Sequence, residues 1–402
     1  MNSALQPVPP DVRGNRLAAI VLAAGRSSRM GGFKPLLPLA GSTALERCIR
    51  SFRTAGVAEV IAVLGHRADE VRPLAERWGA RCVLNPLFDR GMYSSIVIGC
   101  QALPEWAEAA FVLPVDIPLI RPATIRQLAE TRASLSGAIV YPVFGGHRGH
   151  PPLIGRQILA ETAPGGAEGP LSALLMRHER SSIEVPVADE AIHMDMDTPT
   201  DYDILVSLAA RHDIPSGAEC AEILAGQHVT QPVIRHSRMV ANIALRLAHA
   251  LHRTGMRLNM DLVQAGALLH DLAKGRPDHA VLGASILRAM DFLRVAEIVG
   301  AHTDLQFSRS TLDERAIVYL ADKLVRGEDL VTITQRFQPA LDRFGGDPIA
   351  LHAARRRMET AKEVACAVET RLGASLGSVL NDYVDSSMQQ FEISTAHEAM
   401  QS

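Results

Sequence analysis

The chain has 402 residues, 21% of them charged, a net charge of −3 and a mean hydropathy of +0.08. That length exceeds what one ordinary core holds, so two domains are expected. A pI of about 6.6 argues against a nucleic-acid-binding surface, and no apolar run is long enough to span a membrane.

The opening residues, 1–16, are polar and proline-containing and read as a flexible tail. Strand and helix patterns then alternate over 17–211. Apolar runs at Ala18–Ala23, Glu59–Leu64, Arg81–Leu84, Ala110–Val115 and Gly137–Val143 predict strands. Helical spacing falls between them, as at Thr43–Thr54 and Ala68–Trp78. This alternation predicts a doubly wound α/β domain with a mainly parallel sheet. Ligands then belong at the carboxyl ends of its strands.

The first strand runs straight into Leu22-Ala-Ala-Gly25-Arg26-Ser-Ser-Arg29-Met-Gly31-Gly32-Phe-Lys34. Glycines let backbone N–H groups approach an anion, and Arg29 and Lys34 add full charges. The loop therefore predicts a phosphate site. It is neither a Walker loop, because Met30-Gly31-Gly32 stands where Gly-Lys-Ser/Thr is needed, nor a Rossmann Gly-x-Gly-x-x-Gly.

Asp116 follows the strand Ala110–Val115, where a carboxylate can hold the Mg²⁺ of a nucleoside triphosphate. In Asp195-Met-Asp197-Thr198-Pro199-Thr-Asp201, Thr198 and Asp201 read as a helix cap. Asp195 and Asp197 share a face if the segment is extended, with Asp197 favoured as a second Mg²⁺ ligand. Arg148-Gly149-His150 forms a cationic loop after a strand.

After the expected linker at 212–217 the pattern turns helical to about residue 386, with no convincing strand. Helices are predicted at Pro232–Arg253, Asp261–Leu272, Asp278–Met290, Asp313–Arg326 and Pro348–Arg371. The tail 387–402 is expected to be flexible. His270-Asp271 closes an apolar helix, with further histidines and an aspartate on neighbouring helices: His236, His279, His302 and Asp322. Helical periodicity does not explain the adjacent pair, because successive side chains lie about 100° apart. Imidazole and carboxylate donors without thiolate suit Fe, Mn, Zn or Co. Five scattered cysteines with no C-x-x-C pair argue against disulfides and fit a reducing cytoplasmic setting.

Two resemblances follow from these residues. The segment Leu22–Lys34 resembles the signature of molybdenum cofactor nucleotidylyltransferases. So do Asn85-Pro86 with Gly91-Met-Tyr-Ser94-Ser95, Asp116-Ile-Pro118, Arg148-Gly-His-Pro151 and Asp195-Met-Asp197-Thr-Pro199. Ala23-Ala24-Gly25 is similar to the cytidylyl members; guanylyl members carry a second glycine where Ala24 stands. The resemblance implies transfer of CMP from CTP to the terminal phosphate of molybdopterin cofactor, with an apo-molybdoenzyme as a downstream partner. It implies Arg29, Lys34 and Asp116 as catalytic groups. Ala23, Ala24, Gly25, Arg26, Asn85, Ser94 and Ser95 would hold the nucleotide, and Arg148, Gly149 and His150 the pterin phosphate.

The second set, His236, His270-Asp271 and Asp322, resembles the HD-domain metal phosphohydrolases. His279 and His302 resemble the extra ligands of subgroups that hold two metal ions. Lys274 reads as a contact to substrate phosphate or as a helix-end cation. The alternatives are GTP as donor, a sugar or alcohol phosphate as acceptor, or a cofactor-binding chaperone with a sensory HD module.

Overall fold

The computed structural model describes residues 16–134, 139–162, 170–308 and 312–381. Residues 1–15 of the expected tail 1–16, the expected tail 387–402, Gly137 and Ala138 of the predicted strand, and residues 382–386 of the predicted helical domain lie outside them; Arg16 is described and pairs with Glu108. The chain divides into two compact units, Met1–His212 and Asp213–Ser402.

Unit 1 opens with β1 (Leu17–Ala23), the small hairpin β2 (Pro38–Leu39) and β3 (Ser42–Thr43), and α1 (Ala44–Thr54). Next come β4 (Glu59–Leu64), α2 (Ala68–Arg77), β5 (Arg81–Leu84), α3 (Met92–Gln101), β6 (Ala109–Pro114) and α4 (Pro122–Ser134). Then follow β7 (Ile139–Phe144), β8 (His147–Arg148), β9 (Leu153–Gly155), α5 (Arg156–Ala160), α6 (Leu171–Arg177), β10 (Ser182–Pro186) and α7 (Pro199–Ala210).

The sheet runs β10-β7-β9-β6-β1-β4-β5, with β8 on β7. It is parallel except at β9 and β8, which pair antiparallel. Strand β9 is too short to show periodicity, and the apolar runs left it unpredicted. Alternation along β1 feeds two cores. Ala19, Val21 and Ala23 pack on one face, and Ala18, Ile20 and Leu22 on the other. Burying Val21, Ile20 and Leu22 contributes about 1.5–3 kcal/mol each. Helices on both faces are thus required, and the doubly wound, mostly parallel sheet is observed.

Local signals set the helix starts. Thr43 Oγ1 accepts from Glu46 N and the Glu46 carboxylate accepts from Thr43 N, a reciprocal cap on α1. The same device at Thr198 and Asp201 starts α7.

Unit 2 is helical: α8 (Gly217–Gly226), α9 (Gln231–Arg253), α10 (Met260–Leu269), α11 (His279–Ala289), α12 (Leu293–Ala301) and α13 (Glu314–Lys323). After α13 a two-residue pair, β11 (Val325–Arg326) and β12 (Asp329–Leu330), replaces the last turn of the predicted helix Asp313–Arg326. Three further helices follow: α14 (Ile333–Arg343), α15 (Pro348–Leu372) and α16 (Leu376–Asn381). Of the expected linker 212–217, Ser216 caps α8 and Gly217 is its first residue. Val240, Ala244, Leu247 and Leu251 form the buried stripe of α9, at the three- and four-residue spacing of one helix face. Among the described residues, no helix is long and apolar enough to cross a membrane.

Candidate active sites

In unit 1 the loop after β1 folds back on itself. Met30 N donates to Ser27 O at 3.1 Å, and Lys34 N donates to Ser27 Oγ at 3.0 Å. Met30, only 5% exposed, anchors the loop in a cluster with Leu39, Leu119 and Met196. A Cβ on Gly25 would meet nothing within 4 Å, so the space over the loop is open to a ligand. On the other side, a Cβ on Gly65 would fall 2.8 Å from Ala24 O, so only glycine lets β4 approach here. Gly25, Ser28, Arg29, Lys34, Ser95 and Asp116 line one cleft of about 260 Å³. Ala24 lines it as well, and Ala23 is buried beneath.

Asp116 sits just past β6, and Met196 N donates to its carbonyl at 2.9 Å. That bond seats the Asp195–Asp197 segment on the sheet edge with Met196 buried. Lys34 Nζ then lies between two carboxylates, 3.0 Å from Asp116 Oδ2 and 2.7 Å from Asp197 Oδ1. Arg29 Nη2 reaches Asp197 Oδ2 at 2.9 Å. Burial would lower the Lys34 pKa, but the two carboxylates outweigh it and raise it. The Lys34 hydrogen bond in turn lowers that of Asp197. Asp195 is exposed, and desolvation with Asp197 and Asp116 nearby raises its pKa. Lys34, Asp116, Asp197 and Arg29 therefore converge, as oxygen donors and cations suited to a metal-bound polyphosphate.

Other expected residues stand elsewhere. Arg26 does not face the cleft's anion position; it forks onto Asp89 at 2.8 and 2.9 Å and lies over the Phe88 ring. Asn85 is fully buried and its amide donates to Ser94 Oγ and Ser95 Oγ, so it shapes the cleft wall without lining it. Ser94 Oγ is spent on Leu87 O and Gly91 O, which leaves Ser95 at the cleft. Arg148 belongs to a hairpin, not an open loop: its guanidinium binds Glu179 and Glu184 and covers Tyr141. Gly149 is pinned, since a Cβ there would fall 2.5 Å from Ile192. His150 N bonds Ile192 O, and burial lowers the imidazole pKa. Asp89 and Phe88 carried no signal in the sequence beyond their neighbourhood to Gly91.

In unit 2 all six expected donors meet. His236 Nε2 is 3.3 Å from Asp322 Oδ1, and His270 Nε2 is 3.4 Å from Asp271 Oδ2 and 3.6 Å from Asp322 Oδ1. On the other side, His279 Nε2 and His302 Nε2 each stand 3.5 Å from Asp271 Oδ1. Asp271 thus belongs to two ligand groups, His236–His270–Asp271 and Asp271–His279–His302.

The tautomers are set from behind. Nδ1 of His236, His270 and His302 each meets a main-chain oxygen, of Gly327, Ala267 and Val299, and so is the donor. Their Nε2 atoms point inward and, once deprotonated, are placed as metal ligands need. His270 Nε2 and Asp271 Oδ1 are buried with no hydrogen-bond partner, a vacancy in bonding that a cation satisfies. Burial would lower the His270 pKa, but Asp271 and Asp322 push it up to about 9. Burial lowers those of His279 and His302. Lys274 binds Asp271 Oδ2 at 2.8 Å, and Lys323, which no sequence pattern singled out, binds Asp322 and the His302 carbonyl.

Comparison with known proteins agrees with this division. Residues 19–182 match the MobA-like NTP transferase domain, and residues 233–327 match the HD domain. The molybdenum cofactor cytidylyltransferase of Escherichia coli is 28% identical over 184 residues, 46% of this chain and 92% of that protein. The bifunctional protein GlmU of Gloeobacter violaceus is 38% identical over 123 residues, 30% of this chain. The chain spans only 27% of that GlmU's length. A nucleotidyl transferase structure from Methanothermobacter is 27% identical with a TM-score of 0.43, covering 49% of this chain and 99% of that one. The chain carries a nucleotidyltransferase domain followed by an HD domain.

Proposed function

We propose that the chain is a bifunctional enzyme. Unit 1 transfers CMP from CTP to the terminal phosphate of molybdopterin cofactor, and unit 2 is a metal-dependent phosphohydrolase.

The observation that carries the first activity is Lys34 held between Asp116 and Asp197, with Arg29 alongside, at the foot of the glycine loop. A cofactor phosphate oxygen forms a bond to the α-phosphorus of CTP. The bond to the bridging oxygen breaks, and its electron pair leaves with pyrophosphate. The nucleophile is already anionic, so no general base is required. The difficulty is bringing two anions together, and Lys34 and Arg29 supply fixed positive charge where pyrophosphate charge builds. Asp116 and Asp197 would hold Mg²⁺, which supplies further neutralisation of the triphosphate. Ser95 and the Gly91 backbone would face base and ribose.

The relative matched over 92% of its length, the Escherichia coli cytidylyltransferase, supports the molybdopterin acceptor. Ala24 lines the cleft where the guanylyl members that the loop resembles carry a second glycine, and that resemblance supports CTP over GTP. The assay is pyrophosphate release with molybdenum cofactor and CTP, GTP or ATP in turn. CTP-only release is expected, and GTP preference would overturn the choice. The second reading, a sugar or alcohol phosphate as acceptor, gains weight because Arg148, the cation assigned to the pterin phosphate, is occupied by Glu179 and Glu184. Pyrophosphate release with a sugar phosphate but not with the cofactor would select it.

For unit 2, the carrying observation is the pair of donor sets sharing Asp271. Imidazole and carboxylate donors fit two ions such as Fe, Mn or Zn, which when bound supply an activated water for attack on a phosphate ester. His236, His270 and Asp322 would complete one position, and His279 and His302 the other. Metal analysis tests this: wild-type chain should hold metal that Asp271→Ala loses, and equal content would refute the site.

A further inference from the structure

Lys323 touches both halves of the metal cluster from behind. It is 7% exposed, at the end of α13. An ammonium has three donors and no acceptor. Here one donor meets Asp322 Oδ2, and another meets the main-chain oxygen of His302 at 3.0 Å. The charge also lies 4.8 Å from the centroid of the Tyr319 ring. Tyr319 is itself fully buried and held by a hydrogen bond to Arg357 O, so this wall is rigid.

Each contact has a consequence on the inner side. Asp322 offers Oδ2 to Lys323, so Oδ1 alone faces His236 and His270. The carboxylate is thereby limited to one ligand atom, and its charge is shared with a fixed cation. His302 is the C-cap of α12, where helical carbonyls lack partners. The Lys323 bond satisfies one of them and fixes the backbone from which the imidazole projects. Lys274 differs: its side chain is 46% exposed and can swing away from Asp271.

Resting on the two-metal reading above, we propose that Lys323 is a positioning residue that makes the two metal positions unequal. It restrains Asp322 at one position and seats His302 at the other. Replacing the ammonium by a neutral chain of similar length then acts on the two positions in opposite directions. Asp322 regains its full charge and its second oxygen, so that position keeps or gains affinity. His302 loses its seat, so the other position weakens by about tenfold, the scale for loss of an outer-shell partner.

The experiment is equilibrium dialysis of the full chain against Mn²⁺, with binding by unit 1 subtracted using Asp271→Asn. In a His279→Ala background only the Asp322 position is read. Lys323→Met is expected to leave the affinity of that position equal or higher there, while in the otherwise wild-type chain the second equivalent weakens about tenfold. Parallel weakening of both, or no change in either, overturns the proposal. Lys323→Gln keeps a donor and should show the same split in smaller degree. If neither variant folds, Lys323 is a core residue and the proposal fails. If Asp271→Asn binds as much Mn²⁺ as wild type, the two-metal reading itself fails, a result distinct from a missing split.

Discussion

Lys34 Nζ donates to Asp197 Oδ1 at 2.7 Å although 163 positions separate the two residues. The contact joins the first loop of the sheet to the segment that precedes its last helix. Lys34 and Arg29 neutralise the carboxylate edge; under the proposed function an incoming polyphosphate would replace those carboxylates as their counter-charge.

Loss of that charge should appear in turnover. Lys34→Ala and Asp116→Ala are each expected to lower kcat about 10²- to 10³-fold, and to raise KM for CTP much less. Steady-state pyrophosphate release measures both. A wild-type kcat in Asp116→Ala would remove Asp116 from the chemistry.

Unit 1 should lose stability in mild acid through His212. Burial, with Arg121 nearby, lowers its pKa from 6.5 to about 4, while Nε2 bonds Leu119 O. The unfolded chain therefore binds the proton first. Stability is complete above the unfolded pKa and is lost as pH falls from about 6.5 through 4, by at most about 3 kcal/mol. Both tryptophans, Trp78 and Trp106, lie in unit 1, so urea melts followed by tryptophan fluorescence isolate it. His212→Gln should flatten the pH slope.

The same melts test a buried pair. Asp189, 1% exposed, accepts from Arg121 Nη1 and N and from Thr124 Oγ1 at 2.7–2.9 Å. Removing it leaves a buried guanidinium without its carboxylate, so Asp189→Ala should cost about 3–5 kcal/mol. A loss below 1 kcal/mol would mean that the His212 and Ala188 carbonyls, which Arg121 also meets, suffice for it.

Metal stoichiometry should separate the two positions of unit 2. His279→Ala is expected to retain one equivalent, because His236, His270, Asp271 and Asp322 stay in place. Asp271→Asn should retain none, since that carboxylate serves both groups. Elemental analysis after dialysis decides it; two equivalents in His279→Ala would refute the shared-ligand arrangement.

Much of this was legible in advance where the signal is local. Strands β1, β4 and β5 are uninterrupted short runs, and the apolar pattern located them to within a residue. The cap at Thr198 and Asp201 is a four-residue pattern. Strand β9 has three residues and α12 nine, too little for periodicity to stand out. Among site residues, donor type was readable and pairing was not. Arg26 and Arg148 have the chemistry for phosphate, yet Asp89, Glu179 and Glu184 hold them instead. Nothing near Arg148 in sequence marks Glu179 as its partner.

The sequence by itself determined the class of each half: apolar strands ending in a glycine–cation loop, and helices bearing an ordered set of histidines and aspartates. These follow from local propensity, from the burial a short apolar run demands, and from the chemistry of side chains. Only the tertiary structure decided which cations line the cleft, that Asp197 joins Asp116 through Lys34, and that Asp271 is shared while Lys323 braces its neighbours. Those are distances of a few ångströms between residues far apart in the chain, set by how helices and strands pack, and no local pattern encodes them.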